Sequence, residues 1–314
     1  MNEKVVLFLN HSGIQCGVYQ YGKRVFDIIK QDPSINYIYK ELNNLQGYTT
    51  VLKENPTITA IIYNYHNCTM PWLHKSTIQK AVKNIGIPHE SNHNMFDIVC
   101  DVDPTSSSHY RLPRPLFESI DTNIDDSSPT IQSFIREYTD DDIPIFGSFG
   151  FGFGNKGFDK MIRLINEQYD RAIIKIIMPT ATFYPDQNIS YSTADSCRSI
   201  PLKPDVKLMI THEFFSEKAL LAFLHSNTMN IFLYDTMHGR SISSTIDYAL
   251  SVKKPLCISD SHMFRHIYSD SICAYKYSLR ECLDNSVQYL RPFLQLYSHA
   301  SMITTFREIL GSIR

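Results

Sequence analysis

The chain has 314 residues, which is longer than one ordinary α/β domain and long enough for two domains of roughly 150 residues each. Its composition, with 43% hydrophobic and 20% charged residues and a formal net charge of −2, is typical of a globular protein with full cores and excludes a strong overall attraction to nucleic acid. The seven cysteines are scattered without a CxxC pair, which excludes a zinc-binding cysteine framework. We therefore expect reduced thiols, no bound metal and no nucleic-acid partner.

The first third of the chain has the pattern of a parallel α/β sheet. An apolar strand at residues 5–9 ends in a glycine turn, and apolar residues then recur at helical spacing over residues 18–30. Because this apolar run is too short for a signal peptide or a membrane span, we expect a cytoplasmic protein without a transmembrane segment and leave peripheral membrane contact open. Further strands are predicted at residues 35–39, 60–63 and 96–100, with a helix at 74–84. This alternation predicts a Rossmann-like domain over residues 1–118.

Residues 119–142 are acidic, polar and poor in core-forming side chains, which predicts a linker that contains one short helix near residues 131–138. The strand–helix pattern then starts again. Strands are predicted at 143–146, 172–178, 206–211, 231–234 and 255–259, helices at 158–168, 216–225 and 243–250, and two more helices over 279–313. We therefore predict a second Rossmann-like domain over residues 143–314, whose terminal helices are candidates to return to the first domain.

A glycine-rich turn stands between the first strand and the first helix of this second domain. Five of the twelve glycines lie within residues 147–157, together with Lys156. Glycine allows a backbone to approach a ligand closely, and the following helix directs N–H groups and a positive dipole end toward an anion. A flexible turn packed by its phenylalanines is the alternative. The position before a helix favours phosphate binding, although nothing matches a P-loop.

A second polar segment follows the strand at residues 231–234. His238, Gly239 and Arg240 form a loop, and Ser243 and Ser244 carry hydroxyls suited to capping a helix. Asp247 lies within the first turns of that helix. Its carboxylate can accept hydrogen bonds from a ribose diol, or it can simply stabilise the helix dipole.

The order of these features resembles the donor-binding half of the GT-B glycosyltransferases, most closely the retaining enzymes of family 4. In that family a G-R-x-x-x-x-K-G loop grips the donor diphosphate, and the acid of an E-A-x-A-x-G-x-P helix holds the ribose. Here Lys156 belongs to the first feature, and Asp247, in the segment that ends at Pro255, stands for the second. Residues 15–22 are similar to the family's glycine turn before its first helix. The resemblance covers nearly the whole chain and is densest over residues 145–265.

The resemblance implies an α/β protein with two Rossmann-like domains that face each other across a cleft, the first for the acceptor and the second for the donor. It implies metal-independent transfer of a sugar from a nucleoside diphosphate sugar, the co-substrate, to a carbohydrate or other hydroxyl acceptor, with no further cofactor. The residues expected to bind the diphosphate are Gly13, Gly17, Ser148, Gly152, Gly154, Lys156, Ser243 and Ser244. Those expected at the ribose and base are Asp247, His212 and Glu213.

Two segments rich in histidine and asparagine, residues 64–72 and 88–94, adjoin predicted strands of the first domain. Together they predict polar loops that line the cleft, whereas a single histidine in such a loop is more often solvated or a cap. Within them His66 and His89 are the candidates for catalysis. The candidates for contact with the donor sugar or the acceptor are Asn64, Trp72, His238, Gly239 and Arg240. Arg111 and Arg114 follow these segments along the chain, and a position near the cleft and a role on the surface fit them equally well.

The sequence departs from the family pattern at two positions. The arginine expected in the glycine loop is absent, with Phe149 near its place, and the earlier acid of the family's E-x7-E pair falls at Gly239. Asp235, His238 and Arg240 are the candidates to take over the role of that acid. These departures favour, as an alternative, a noncatalytic GT-B-like protein that binds a sugar nucleotide or a glycan. A nicotinamide oxidoreductase shares Rossmann-like units, but its glycine fingerprint with a distant acid is missing.

Overall fold

The computed structural model describes residues 4–90, 94–138, 143–182, 184–237 and 239–312. The chain divides into two compact units, each formed by several segments. The first unit consists of Met1–Leu116, Gly239–Ser244 and Leu296–Arg314, and the second of Phe117–His238 and Thr245–Gln295. Within the described ranges, no helix has the length and the apolar character needed to cross a bilayer.

The first unit is built on a six-stranded parallel sheet in the order β2-β1-β3-β4-β5-β6. The central strands β1 and β3 are mostly apolar and buried, as expected for a parallel sheet that is covered on both faces, and Asn10 and Asn64 lie near their ends. The register places Phe8 opposite Tyr39 on one side and Ile62 on the other. The strands are β1 Val5–Asn10, β2 Asn36–Glu41, β3 Ala60–Tyr65, β4 Lys83–Pro88, β5 Ile98–Asp101 and β6 Tyr110–Arg111.

Helices from both ends of the chain cover this first sheet. They are α1 Gly17–Ile29, α2 Leu45–Glu54 and, from the C-terminus, α9 His299–Gly311. The apolar face of α9, with Met302 and Phe306, joins the same buried core as Val25 of α1. Arg307 of α9 also donates two hydrogen bonds to the carboxylate of Asp32, at 2.6 and 2.9 Å. The last helix is therefore an integral part of the first unit.

The second unit contains a five-stranded parallel sheet in the order β11-β10-β7-β8-β9. Its strands are β7 Ile145–Phe149, β8 Arg171–Ile177, β9 Asp205–Thr211, β10 Met229–Phe232 and β11 Leu256–Ile258. Its helices are α3 Pro129–Arg136, α4 Phe158–Gln168, α5 Ile189–Arg198, α6 Glu217–Ser226, α7 Thr245–Ser251 and α8 Leu279–Leu296, of which the last residue belongs to the first unit. Each strand ends at the same edge, since all are parallel, and the loops at that edge hold the candidate site residues of this unit.

A buried lysine attaches α3 to the second sheet. Lys175 of β8 is fully buried, and its ammonium donates to the carbonyl oxygens of Phe134, Ile135 and Glu137 at 3.0, 3.1 and 2.5 Å. These carbonyls belong to the last turn of α3, which has no intrahelical partner for them and carries the negative end of the helix dipole. Residues 129–136 of the predicted linker are thus packed in the second unit.

Most predicted elements occur within a few residues of their expected position, and the helix at 158–168 matches α4 at both ends. The predicted helix at residues 74–84 is wrong. That segment forms turns, in which the backbone N–H of His74 donates to the Thr77 hydroxyl at 2.8 Å, and a local hydrogen bond of this kind competes with a helix. Its last residues instead begin strand β4, which pairs with β3 and was not predicted. Helices α2 and α5 were also not predicted.

Candidate functional site

Polar side chains gather where the central strands of the first sheet end. The Asn64 amide nitrogen donates to Asn10 Oδ1 at 2.9 Å, and Asn64 Oδ1 lies 2.7 Å from His89 Nε2. Because an amide oxygen only accepts, His89 must donate from Nε2. Asn10 and Asn64 are fully buried, so their hydrogen bonds fix the ends of β1 and β3 and hold His89 in one orientation.

Two further histidines at this edge are held as neutral hydrogen-bond donors. His11 Nδ1 accepts from the backbone N–H of Gly13 and His66 Nδ1 from that of Cys68, both at 3.1 Å. The proton of each neutral ring therefore sits on Nε2. Burial lowers the pKa of both rings, with Glu41 opposing the effect at His11 and Glu90 opposing it at His66. His11 Nε2 is buried and has no hydrogen-bond partner in the described part of the chain.

An arginine stacks behind His89. The Arg114 guanidinium lies 4.8 Å from the centre of the Tyr21 ring, which meets the His89 ring edge to face at 5.0 Å. Arg114 is buried and donates to the Val102 carbonyl, whereas Arg111 is exposed. Burial and, to a smaller degree, the charge of Arg114 lower the pKa of His89 to about 3. His89 is therefore a neutral ring across the physiological pH range.

The segment Gly239–Ser244 packs with the first unit. The Glu90 carboxylate accepts from the Arg240 guanidinium at 2.8 Å and from the Ser241 backbone N–H at 2.7 Å. A Cβ placed on Gly17 would lie 3.7 Å from the Ser244 hydroxyl, so the start of α1 and Ser244 are neighbours. The sequence predicted a helix start at residue 243, whereas α7 begins at Thr245, so Ser243 and Ser244 do not lie within that helix.

The glycine-rich turn of the second unit joins β7 to α4 through a short 3-10 turn, Gly154–Lys156. Gly157 has φ 63°, and a Cβ there would overlap the carbonyl oxygen of Leu233, so only glycine fits this close approach. The α4 helix that follows has no side-chain cap among the described residues. Lys156 Nζ lies 3.9 Å from the centre of the Tyr234 ring. The turn therefore places one cation beside an uncapped helix start, which favours an anion.

The other predicted members of this turn have different surroundings. Gly152 is a packing residue, because its N–H donates to the Ser190 hydroxyl at 3.1 Å and its carbonyl accepts from Thr193 at 2.6 Å. Ser148 is buried within β7. Gly154 is exposed and has open space where a Cβ would stand. Gly154 is thus the more accessible of these three for a ligand.

An aromatic pair marks the ends of β8 and β9. The ring of Tyr191 lies 4.2 Å from that of His212, and His212 Nδ1 donates to the Met178 carbonyl at 2.8 Å. Tyr191 is 46% exposed, so this pair, whose rings are tilted by 40° to each other, presents an aromatic face to solvent. Glu213 is exposed beside it. The sequence predicted His212 and Glu213 but missed Tyr191, whose helix α5 has too little apolar periodicity to be recognised.

Asp247 is fully buried in α7. The structure also indicates how the E-A-x-A-x-G-x-P motif aligns with this segment. Lys253 has φ 56°, the left-handed conformation in which glycine is most common, and it precedes Pro255 by two positions, as the motif's glycine precedes its proline. In this register the motif's acid position falls on Tyr248, which is buried against Phe149.

Of the remaining candidates, one lies apart from these groups and one lies outside the described residues. Trp72 packs against Tyr48 at 5.5 Å in the core on one face of the first sheet. Gly13 and Gly239 are exposed, and His238 lies outside the residues that the structure describes. A search of the described residues for three or more metal-binding side chains at one place finds no such group. Asp101 and Asp103, which spell a DxD sequence, each accept hydrogen bonds from their own local turn.

Neither a protein-family model nor a curated protein sequence matches the chain. Solved structures do match it over nearly its full length. Anabaena Alr3699/HepE, crystallised with UDP-glucose, has a TM-score of 0.67 and 11% sequence identity, with 98% of this chain and 99% of that chain covered. A glycosyltransferase from Rickettsia africae has a TM-score of 0.61 at 10% identity, with coverages of 100% and 99%.

Sucrose-phosphate synthase from Thermosynechococcus elongatus has a TM-score of 0.60 and 10% identity, and the match covers 99% of this chain and 100% of that chain. All three are glycosyltransferases of the architecture predicted from the sequence. The chain has the GT-B fold. Identities of 10–11% establish the fold alone, so the activity and the roles of individual residues need arguments from the site itself.

Proposed function

We propose that the chain is a glycosyltransferase that moves a sugar from a nucleoside diphosphate sugar to an acceptor hydroxyl. The observation that carries the proposal is the β7–α4 turn of the second unit, where Lys156 stands beside the uncapped start of α4. A diphosphate is the ligand that this pairing of a cation and a helix N-terminus favours. The GT-B fold supports the proposal, because its sugar-nucleotide enzymes bind the donor in the second unit.

The chemistry proposed for this turn is electrostatic. When the bond from the sugar to the diphosphate breaks, negative charge grows on the departing phosphate oxygens. Lys156 and the first N–H groups of α4 are fixed before the reaction, so they stabilise that charge without reorganisation. The Tyr234 ring beneath the ammonium holds it in place, and a buried hydrogen bond at 3.0 Å joins that ring's hydroxyl to Thr245. We propose that no metal ion takes part.

The histidines of the first unit are proposed to orient ligands, not to abstract protons. Nδ1 of His11 and of His66 accepts a backbone hydrogen bond, and Nε2 carries the proton, so the free nitrogen of each ring is a donor. A general base needs a free lone pair toward the proton that it removes. His66 thus suits donation to a sugar or phosphate oxygen. His89 uses its Nε2 proton on Asn64, and we propose that it positions the Asn64 side chain.

We propose that the nucleoside base rests on the surface formed by Tyr191 and His212. Flat aromatic rings stack on bases of any identity, so the contact gives affinity with little selectivity. A uridine donor is the first to test, since Anabaena HepE was crystallised with UDP-glucose and with UDP. Asp247 is buried, so a contact with the ribose requires movement of α7, and we propose that it supports the helix at least as much as the ligand.

A noncatalytic protein that binds a sugar nucleotide or a glycan is the second candidate. It is favoured by the absence of the family's two acids, because in the register set by Lys253 the E-x7-E positions fall on Arg240 and Tyr248. The Glu90 carboxylate contacts this segment through the Arg240 guanidinium and the Ser241 backbone N–H. The two candidates make the same prediction for binding and opposite predictions for transfer.

Thermal shift across UDP-, GDP-, ADP- and dTDP-sugars tests the shared part of both candidates. A ligand that binds the folded state raises the unfolding temperature by mass action, so the correct donor stands out from the others. Calorimetry with the corresponding nucleoside diphosphate and nucleoside monophosphate then isolates the contribution of the second phosphate. If no nucleoside diphosphate sugar binds, the proposed function is wrong.

A further inference from the structure

A groove in the second unit lies between the end of α7 and the second half of α8. It has a volume of about 290 Å³ and contains none of the residues assigned to the donor site. Its described lining consists of four aliphatic and three basic side chains, with no acid and no neutral polar group. They are Leu250, Lys253, Lys254, Val287, Leu290, Arg291 and Leu294.

The floor of the groove continues the apolar face of α8 onto the surface. Val287, Leu290 and Leu294 recur at spacings of three and four residues, so they lie on one face of the helix. Leu290 and Leu250 are buried, whereas Val287 is 48% exposed. This row of three aliphatic side chains therefore extends from the core to the surface. Its exposed part contacts water, and a suitable ligand would cover it.

The rim carries uncompensated positive charge. The side chains of Lys253, Lys254 and Arg291 have no ion-pair or hydrogen-bond partner among the described residues, although other exposed cations of the chain are paired. The backbone of Lys253 is held in the left-handed conformation, with φ 56°, in the turn between α7 and β11. Three cations around an apolar floor are complementary to an anionic amphiphile, in a chain whose overall net charge is −2.

We propose that this groove binds an anionic phospholipid of a membrane surface, with part of one acyl chain on the apolar floor and the phosphate among the three cations. A peptide fits less well. Its backbone amides need hydrogen-bond partners when they are buried, and the described lining offers no neutral polar side chain for them. A volume of about 290 Å³ also suits a single extended chain better than a helix, whose diameter with side chains is roughly 10 Å.

Vesicle sedimentation of the full chain tests the proposal. The two vesicle types are phosphatidylcholine alone and phosphatidylcholine in which phosphatidylglycerol replaces part of the lipid. Wild type should bind the anionic vesicles and bind the neutral ones much more weakly. A soluble single-chain alkyl phosphate should compete with the vesicles, whereas inorganic phosphate at the same concentration should not, because the floor recognises the chain.

Three variants separate the groove from general surface charge. Lys253→Gly removes a cation and relieves the left-handed backbone, so it should fold at least as well as wild type and lower the vesicle partition coefficient about fivefold, the contribution of one cation near an anionic surface. Arg291→Glu changes the charge by two units and should lower it about 25-fold. Val287→Asp places a charge on the floor and should abolish competition by the alkyl phosphate.

The matched controls lie in the first unit. Lys75→Glu reverses an exposed lysine, and Leu45→Asp charges an aliphatic side chain that is 41% exposed, close to the exposure of Val287. Both should bind vesicles as wild type does. Binding that Lys75→Glu weakens as much as Arg291→Glu would overturn the proposal in favour of diffuse charge attraction. Absence of binding to anionic vesicles, or equal binding by Val287→Asp, would overturn it in favour of an acidic partner peptide or no partner.

Discussion

Lys156→Met tests the proposed diphosphate site with the smallest change in packing. Methionine, one heavy atom shorter than lysine, keeps most of the side chain over the Tyr234 ring and removes the charge that lies 3.9 Å from the centre of that ring. If the ammonium also grips the diphosphate, the variant loses one charge-assisted contact to the ligand. It keeps the turn, the start of α4 and the close approach at Gly157.

The expected change follows from the type of contact. A hydrogen bond to a charged group contributes about 1.5–3 kcal/mol, and each 1.4 kcal/mol changes an equilibrium constant tenfold. The Kd for the nucleoside diphosphate sugar should therefore rise about 10- to 150-fold. The loss of the cation–π contact should lower the free energy of unfolding by only about 0.5–1 kcal/mol. The effect on binding should thus exceed the effect on folding.

Calorimetry at one fixed ionic strength measures both variants, because salt screens exposed charges. Lys160→Met is the matched control. Lys160 belongs to the same α4 region, but its ammonium already pairs with Asp235, whose hydrogen bond raises the pKa of Lys160. Lys160→Met should change Kd less than threefold, which corresponds to a change in binding free energy of less than about 0.6 kcal/mol. An equal rise in Kd in both variants would mean that the ligand responds to the overall positive charge of this region and not to Lys156. An unchanged Kd in Lys156→Met would mean that Lys156 does not contact the ligand.

Three further outcomes are expected. Lys175→Met should lower the free energy of unfolding by about 1–3 kcal/mol, measured by urea denaturation, because three buried carbonyls of α3 lose their donor; an unchanged midpoint would contradict this. Gly157→Ala should cost about 2–4 kcal/mol, since it combines a left-handed backbone with overlap on Leu233; a wild-type melting temperature would refute the packing argument. The pKa of His89 is lowered to about 3, below the 6.5 of an unfolded chain. The stability that the neutral ring contributes is therefore complete above pH 6.5 and is lost as the pH falls toward 3. His89→Gln should flatten the dependence of the free energy of unfolding on pH in this range.

The fold could be predicted from the sequence because long apolar runs and glycine turns determine it locally. Four of the seven residues of strand β8 are isoleucines, and α4 has an apolar face directly after the turn that ends at Gly157. The helix predicted at residues 74–84 was wrong because the apolar residues of this segment are few and its polar side chains make local turns. Pairing with β3 decides its last residues, and that contact is distant in sequence.

The candidate site could be predicted only in part. Lys156 could be proposed from the sequence because it stands in a strand–glycine–helix pattern that has a known electrostatic consequence. The neutral state of His66 could not be found, because it depends on a backbone N–H two residues away and on burial. The grouping of Gly239–Ser244 with the first unit also could not be read from spacing, since Glu90 holds that segment through contacts 150 residues apart.

Acceptor-dependent release of the nucleoside diphosphate from the donor identified by thermal shift is the most direct test of the proposed transfer. The measurement is made in excess chelator, with a panel of sugar acceptors and with the products identified by mass spectrometry. We expect wild type to release the nucleoside diphosphate and form a glycosylated acceptor at the same rate with and without chelator, and we expect Lys156→Met to lose this activity. Tight donor binding without any release of the nucleoside diphosphate would contradict catalysis and favour the binding protein, and release that stops in chelator would contradict the metal-independent mechanism.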